Sequence, residues 1–140
     1  MALEITTRQP LPCSVDLPLM DELAVRQVLP SDVTDLQRQS IRVGKLELEF
    51  GQLFESRIVG DQPGIVWRGD TGRLNGVARH LRGGNVKVEG SVGDEAGRQM
   101  RAGRLEISGH AGHWLANDIN GGTVVVNGNC GQFAAASRPA

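Results

Sequence analysis

Residues 86–112 read VKVEGSVGDEAGRQMRAGRLEISGHAG, and this stretch carries a repeat. Glycine recurs in it at a spacing of 19 residues, and the pattern continues on both sides. Each copy contains two glycines three residues apart. These pairs, at steps of 21, 19 and 19 residues, are Gly69 and Gly72, Gly90 and Gly93, Gly109 and Gly112, and Gly128 and Gly131. A fixed period of about 20 residues is typical of short units that stack on one another.

Aligning the copies gives columns of alternating character. The apolar columns are Ile65, Val86, Leu105 and Val124, and then Trp67, Val88, Ile107 and Val126. Apolar residues at every second position predict a strand with one buried face. Equivalent residues of stacked strands lie about 4.8 Å apart, so they should pair by charge. The register predicts three pairs of opposite charge: Arg68 with Glu89, Arg73 with Asp94, and Lys87 with Glu106.

A short repeat with strand periodicity and no helical period predicts an all-β fold, a right-handed parallel β-solenoid of the single-stranded β-helix type. Residues 64–140 form its glycine-rich repeats, and we expect the C-terminal end to be uncapped. Residues 1–63 form a mixed α/β N-terminal cap segment, with a short helix capped by Ser31 and a strand over residues 45–50. Glycine at the corners is expected because tight corners use backbone conformations that side chains disfavour. A Gly93→Val substitution should therefore be severely destabilising.

Composition excludes several classes of function. Fifteen Lys and Arg against sixteen Asp and Glu give a net charge of -1, which argues against binding to nucleic acid or to a membrane surface. The chain has no long apolar run and no apolar signal segment, so we expect a cytoplasmic protein. Only Cys13 and Cys130 occur, and they form neither a disulfide framework nor a zinc-ligand cluster.

Four arginines form the main candidate binding site. The register stacks Arg79 on Arg98 and Arg82 on Arg101, which are pairs of like charge. Two interpretations stay open. The guanidinium groups either spread into solvent along an exposed corner, or they form a ridge that binds carboxylates or phosphates.

The histidines and cysteines favour no catalytic or metal site. His110 and His113 lie at a corner with no third ligand close in the sequence, so we expect solvated side chains rather than metal ligands. Cys130 aligns with the small residues Thr71, Val92 and Ala111, which predicts a buried, unreactive thiol. No set of catalytic groups is recognisable.

Residues 86–133 resemble a known repeat, GxxGxxxGxxMxxGxIxVxGxxG. This GxGxG-type repeat is found in the C-type subunit of formylmethanofuran dehydrogenases and, most similarly, in the C-type subunit of the bacterial formyltransferase/hydrolase complex. The C-terminal domain of the large glutamate synthase subunit contains the same repeat. The resemblance covers about residues 45–135. Ala116 and Ala135 stand where a repeat glycine is expected, and His110 and His113 stand where the family usually has acidic or amide residues.

The resemblance implies a non-catalytic scaffold subunit that binds no cofactor itself. Its complex would be a formylmethanofuran dehydrogenase-type oxidoreductase or a formyltransferase/hydrolase of one-carbon metabolism, converting formyl-tetrahydromethanopterin to formate. The implied partners are a formyltransferase and an amidohydrolase-like subunit, and the complex would use a methanofuran-like carrier and tetrahydromethanopterin. A poly-glutamate carrier tail becomes a candidate ligand of the arginine columns. The alternative is a glutamate synthase-type GxGxG domain in an amidotransferase system.

Overall fold

The computed structural model describes residues 2–18, 20–60, 64–132 and 134. In chain order, the elements of these ranges are β1 (Ala2–Thr7), β2 (Val15–Asp16), α1 (Asp21–Val25), α2 (Pro30–Gln37), β3 (Ser40–Val43), β4 (Leu46–Glu49), α3 (Phe50–Leu53), β5 (Phe54–Val59), β6 (Ile65–Arg68), β7 (Leu74–Asn75), β8 (Arg82–Val88), β9 (Ala102–Ile107) and β10 (Thr123–Val126). No helix within these ranges is long and apolar enough to cross a membrane.

The main element is a six-stranded mixed sheet in the order β10, β9, β8, β6, β1, β5. Strands β1, β6, β8, β9 and β10 run parallel, whereas β5 pairs with β1 in the antiparallel direction. Two smaller sheets accompany it, a parallel pair of β2 with β7 and an antiparallel hairpin of β3 with β4. The N-terminal strand therefore lies inside the same sheet as the repeat strands.

The register predicted for the apolar columns of the repeat is confirmed, whereas Arg82 pairs with Ala102 and not with Arg101. Val88 pairs with Ile107, and Ile107 pairs with Val126. Lys87 stands opposite Glu106, and Arg68 lies 3.3 Å from Glu89. The third predicted charge pair has a different outcome, because Arg73 donates a hydrogen bond to the Pro12 carbonyl at 3.1 Å.

The predicted fold class, an all-β right-handed parallel β-solenoid, is wrong. The structure is of the α/β type, with three helices in its described ranges and sheets that contain both parallel and antiparallel pairs. The repeat columns determine only how β6, β8, β9 and β10 pair. They carry no information about the first 60 residues, which supply the helices and insert β1 between β6 and the antiparallel β5.

The N-terminal part follows local sequence signals with shifted boundaries. The predicted strand over residues 45–50 is found as β4, which ends at Glu49 because α3 begins at Phe50. Helix α2 begins at Pro30, with Leu29 as its N-cap, so the prediction of Ser31 as the cap is wrong. Proline suits the first helical position because a backbone N–H there would have no acceptor within the helix, so its absence costs no hydrogen bond.

The core joins both parts of the chain through aromatic side chains. The Phe50 and Phe54 ring centroids lie 4.5 Å apart, and Phe54 meets Trp67 edge to face at 5.7 Å. All three side chains are buried. The predicted division at residue 63 falls within 61–63, and the predicted uncapped C-terminal end falls on 133 and 135–140. Both lie outside the described residues.

Candidate functional site

Four corner segments follow the parallel strands, and they contain the glycine pairs. We name them corner 1 (69–75), corner 2 (89–95), corner 3 (108–114) and corner 4 (127–132). Corners 2, 3 and 4 each donate backbone N–H groups to carbonyls of the preceding corner, as Gly109 does to Gly90 at 2.9 Å and Gly112 does to Gly93 at 3.0 Å. The corners therefore continue the hydrogen bonding of the sheet beyond the ends of its strands.

Side chains connect the corners in two files of residues 19 apart. In the first file, Ser91 Oγ accepts the His110 N–H at 2.9 Å, and His110 Nδ1 accepts the Asn129 N–H at 2.8 Å. In the second file, Asn75 Oδ1 accepts the Asp94 N–H, Asp94 Oδ1 accepts the His113 N–H, and His113 Nδ1 accepts the Gln132 N–H, each at 2.8 Å. Each accepting side chain thus satisfies a backbone donor of the next corner.

The corner glycines make room for these acceptors. A Cβ on Gly93 would meet Asn75 Oδ1 and would lie 2.9 Å from the Leu74 carbonyl oxygen. Its φ lies outside the left-handed region, so the predicted conformational reason does not apply at this residue. Close approach between corners is the reason here, whereas the φ of +93° at Gly69 does require a glycine-like conformation.

A second set of strained positions was missed by sequence reasoning. Non-glycine residues adopt a left-handed φ between +53° and +61° in the turns that precede β8, β9 and β10. They are Ala78, His80, Glu95, Gln99, Trp114, Ala116 and Asp118. Gly76 and Gly97 occupy positions in the same columns of the repeat. Glycine in these columns is the sequence signal that could have indicated a left-handed backbone there. Ala116 stands where Gly97 stands one copy earlier, and Ala135 lies outside the described residues.

The four predicted site arginines have different surroundings. Arg82 lies 3.3 Å from Asp21 and 3.4 Å from Glu22 of α1, and Arg98 lies 3.1 Å from Glu95. Arg79 turns toward the N-terminal segment and donates to the Leu17 carbonyl at 2.7 Å. Arg101 is exposed beside a cleft of about 260 Å³, whose lining is His80, Gln99, Arg101, Asp118, Ile119 and Asn120. Arg101 therefore lines a cleft to which Arg79, Arg82 and Arg98 do not contribute.

A second cleft of about 300 Å³ brings Arg79 and Arg98 together with acidic residues. The Asp16, Asp94 and Glu95 side chains line it, along with Asn75 and Gly76. This cleft has one more carboxylate than guanidinium group, with three carboxylates around two arginines. An acidic ligand would face repulsion from the carboxylates as well as attraction to the arginines.

The sequence predicted no metal site and a buried thiol. In the described ranges, no three His, Cys, Asp or Glu side chains come together as a group able to hold a metal ion. Thr71, Val92 and Ala111 are buried, as predicted for their column. Cys130, however, is exposed, so the prediction of a buried thiol is wrong. It pairs with Ala111, as the alignment of the copies predicted.

The shortest ion pair among the described residues joins the end of α1 to α2. Arg26 contacts Asp32 at 2.7 Å and 2.9 Å through two guanidinium nitrogens. This bidentate bond, together with the hydrogen bond from the Leu29 N–H, lowers the pKa of Asp32 to about 2. The same bond raises the pKa of Arg26. Asp32 is thereby ionised throughout the physiological range and fixes the start of α2.

These features define an α/β protein in which parallel strands are followed by glycine corners that recur at steps of 21, 19 and 19 residues. The chain matches no protein-family model and no curated protein. Among solved structures, it is similar to a chain of the formyltransferase/hydrolase complex (FhcABCD) from Methylorubrum extorquens, solved in complex with methylofuran. The two share 31% sequence identity with a TM-score of 0.79 over 98% of this chain. The similarity covers 50% of the other chain, so this chain spans about half its length.

Proposed function

We propose that this chain is a non-catalytic scaffold subunit, of the C type, in a formyltransferase/hydrolase complex of one-carbon metabolism. The observation that carries the proposal is the 31% identity and TM-score of 0.79 to a chain of such a complex over nearly the whole of this chain. That complex was solved with methylofuran, which supports a methanofuran-like carrier for the present one. The carrier and tetrahydromethanopterin are proposed to bind other subunits.

The contacts of the polar side chains support a scaffold role. Arg82 and Arg98 form ion pairs within the chain, and the Asp94 carboxylate accepts a corner N–H. Glu4 lies 2.8 Å from Arg57 and 3.6 Å from Arg68 across the sheet. Groups engaged in this way hold strands and corners in place, whereas a general acid, base or nucleophile must reach a substrate.

Co-expression tests the proposal directly. The chain is produced together with a formyltransferase and an amidohydrolase-like subunit. The purification is repeated with the affinity tag on a different one of the three chains each time. We expect a stoichiometric complex with formyl transfer activity, and no activity from the isolated chain. Separate elution of the chain from both partners would contradict the proposal. Recovery with glutaminase and flavin-binding chains instead would favour the glutamate synthase-type alternative.

Binding of an acidic carrier tail is a distinct part of the proposal, and it rests on Arg101. Its cleft is open, while Arg79, Arg82 and Arg98 each have a partner within the chain. A poly-glutamate peptide should therefore bind the wild-type chain more tightly than the Arg101→Gln variant. Arg104→Gln removes another exposed arginine from the strand that follows and is the control. Equal affinity of the wild type and Arg101→Gln would remove tail binding while leaving the scaffold role intact.

A further inference from the structure

Two imidazole rings contribute side-chain hydrogen bonds to corner 4, in addition to its backbone bonds with corner 3. His110 Nδ1 accepts the N–H of Asn129, and His113 Nδ1 accepts the N–H of Gln132, each at 2.8 Å. Both histidines are exposed, so water and protons reach their rings. The imidazoles therefore act as hydrogen-bond acceptors toward corner 4 on one side and face solvent on the other.

The corresponding positions of the earlier corners use acceptors of a different kind. Ser91 accepts the His110 N–H, while Asn75 and Asp94 accept the N–H groups of Asp94 and His113. Hydroxyl and amide oxygens do not titrate, and a carboxylate ordinarily stays ionised above about pH 5. Only the step from corner 3 to corner 4 depends on side chains that ordinarily change charge between about pH 5 and 8.

Protonation reverses the role of the ring nitrogen. A neutral imidazole can accept at Nδ1 only when its hydrogen is on Nε2, and the imidazolium carries a hydrogen on both nitrogens. The new Nδ1–H would point at a backbone N–H, so a hydrogen bond is replaced by a contact between two donors. The ring lies close against corner 4, since an ideal Cβ on Gly131 would lie 2.5 Å from His113 Nδ1.

We infer that His110 and His113 form a proton-operated latch for corner 4. The neutral rings accept the Asn129 and Gln132 N–H groups, and protonation removes these two bonds. The backbone bonds from the Ala111 and Trp114 N–H groups to the Asn129 and Gln132 carbonyls remain, so corner 4 is loosened at these two amides and stays attached to corner 3. Strand β10 stays paired with β9 because its hydrogen bonds are between backbones.

The charged groups around the latch come from corner 2. Asp94 contacts the His113 backbone, and Glu95 donates its N–H to the His113 carbonyl while its carboxylate pairs with Arg98. Glu89 pairs with Arg68 at 3.3 Å. Corner 4 contributes Cys130 as its one titratable side chain, since its other residues are asparagine, glycine and glutamine. The pH response in the mildly acidic range is therefore assigned to the two imidazoles.

Amide hydrogen exchange of the full chain tests the latch. We expect the protection factors of the Asn129 and Gln132 amides to fall about tenfold between pH 7.5 and 5.5, the effect of losing one hydrogen bond of roughly 1.4 kcal/mol. The His110 and His113 amides, which bond to Ser91 and Asp94, are internal controls and should keep their protection.

A double variant, His110→Asn with His113→Asn, keeps an acceptor at both positions but cannot titrate, and Asn75 shows that the file accommodates asparagine. Its Asn129 and Gln132 amides should stay protected at pH 5.5. Unchanged wild-type protection at pH 5.5, or the same loss in the double variant, would overturn the latch. Nitrogen NMR of the wild-type rings is a second measurement that needs no variant. It should show the Nε2–H tautomer at pH 7.5, and an Nδ1–H tautomer would also overturn the inference.

Discussion

The Gly93→Ala substitution measures how closely the corners approach one another. The new Cβ would lie 2.9 Å from the Leu74 carbonyl oxygen and 3.2 Å from its carbon, and it would also meet Asn75 Oδ1. Leu74 belongs to strand β7 and accepts the Gly93 N–H at 2.9 Å, so its carbonyl cannot withdraw without breaking that bond. Asn75 must also move, and its hydrogen bond to the Asp94 N–H would be lost.

The expected loss of stability follows from these two contacts. Overpacking of a methyl group against fixed backbone costs about 1–3 kcal/mol, and the lost hydrogen bond costs about 0.5–1.5 kcal/mol. The sum of about 1.5–4.5 kcal/mol corresponds to a fall in Tm of roughly 5–18 °C for a chain of this size. Thermal unfolding followed by circular dichroism, together with urea unfolding, measures the change.

Gly72→Ala is the matched control for this prediction. Gly72 occupies the same column one copy earlier, but a Cβ there would meet no atom within 4 Å, and its φ lies outside the left-handed region. We expect it to be neutral or to raise stability by up to about 1 kcal/mol through the unfolded chain. If Gly93→Ala melts with the wild type, or if Gly72→Ala is destabilised as much as Gly93→Ala, then close approach is not what requires glycine at the corners.

Three further predictions concern strain, charge and exposure. Gln99→Gly should be more stable than Gln99→Val by about 1–2 kcal/mol in urea unfolding, because the φ of +53° disfavours a β-branched side chain; equal stabilities would contradict this. The Asp32 carboxyl should titrate at about 2 in a carbon NMR titration and closer to 3.8 in Arg26→Gln; an unchanged midpoint would refute the role of Arg26. Since the folded pKa of Asp32 is the lower one, its stabilisation is present above about pH 3.8 and is lost as the pH falls through about 2. Cys130 should react with a thiol reagent in the folded protein faster than the half-buried Cys13, and slower labelling of Cys130 would disagree with its exposure.

The pairing of the repeat strands could be predicted because it leaves a period in the sequence. Val88, Ile107 and Val126 recur every 19 residues, and the side chains of a strand that is buried on one face must alternate. The fold class could not be obtained in this way. Strand β1 joins the sheet through contacts with β6 and β5, which lie about 60 residues away and share no repeat with it.

The sequence could predict which residues of the candidate site align with one another in the repeat, but not which residues they contact. Sequence reasoning stacked Arg82 on Arg101, but it could not see that Asp21 and Glu22 of α1 reach Arg82. It also identified His110 and His113 as corner residues without their role, since an Nδ1 acceptor is recognisable only once the next corner is in place. Local patterns thus located the residues, and the partners from distant segments determined what these residues do.

Hydrogen bonding between successive corners is the central claim, and scalar couplings across hydrogen bonds measure it directly in isotope-labelled protein. Couplings are predicted from the Gly109 amide nitrogen to the Gly90 carbonyl carbon, and from Gly128 to Gly109, because both N–H···O contacts are 2.9 Å long. Couplings from these amides to carbonyls at any other offset in the sequence would contradict the account.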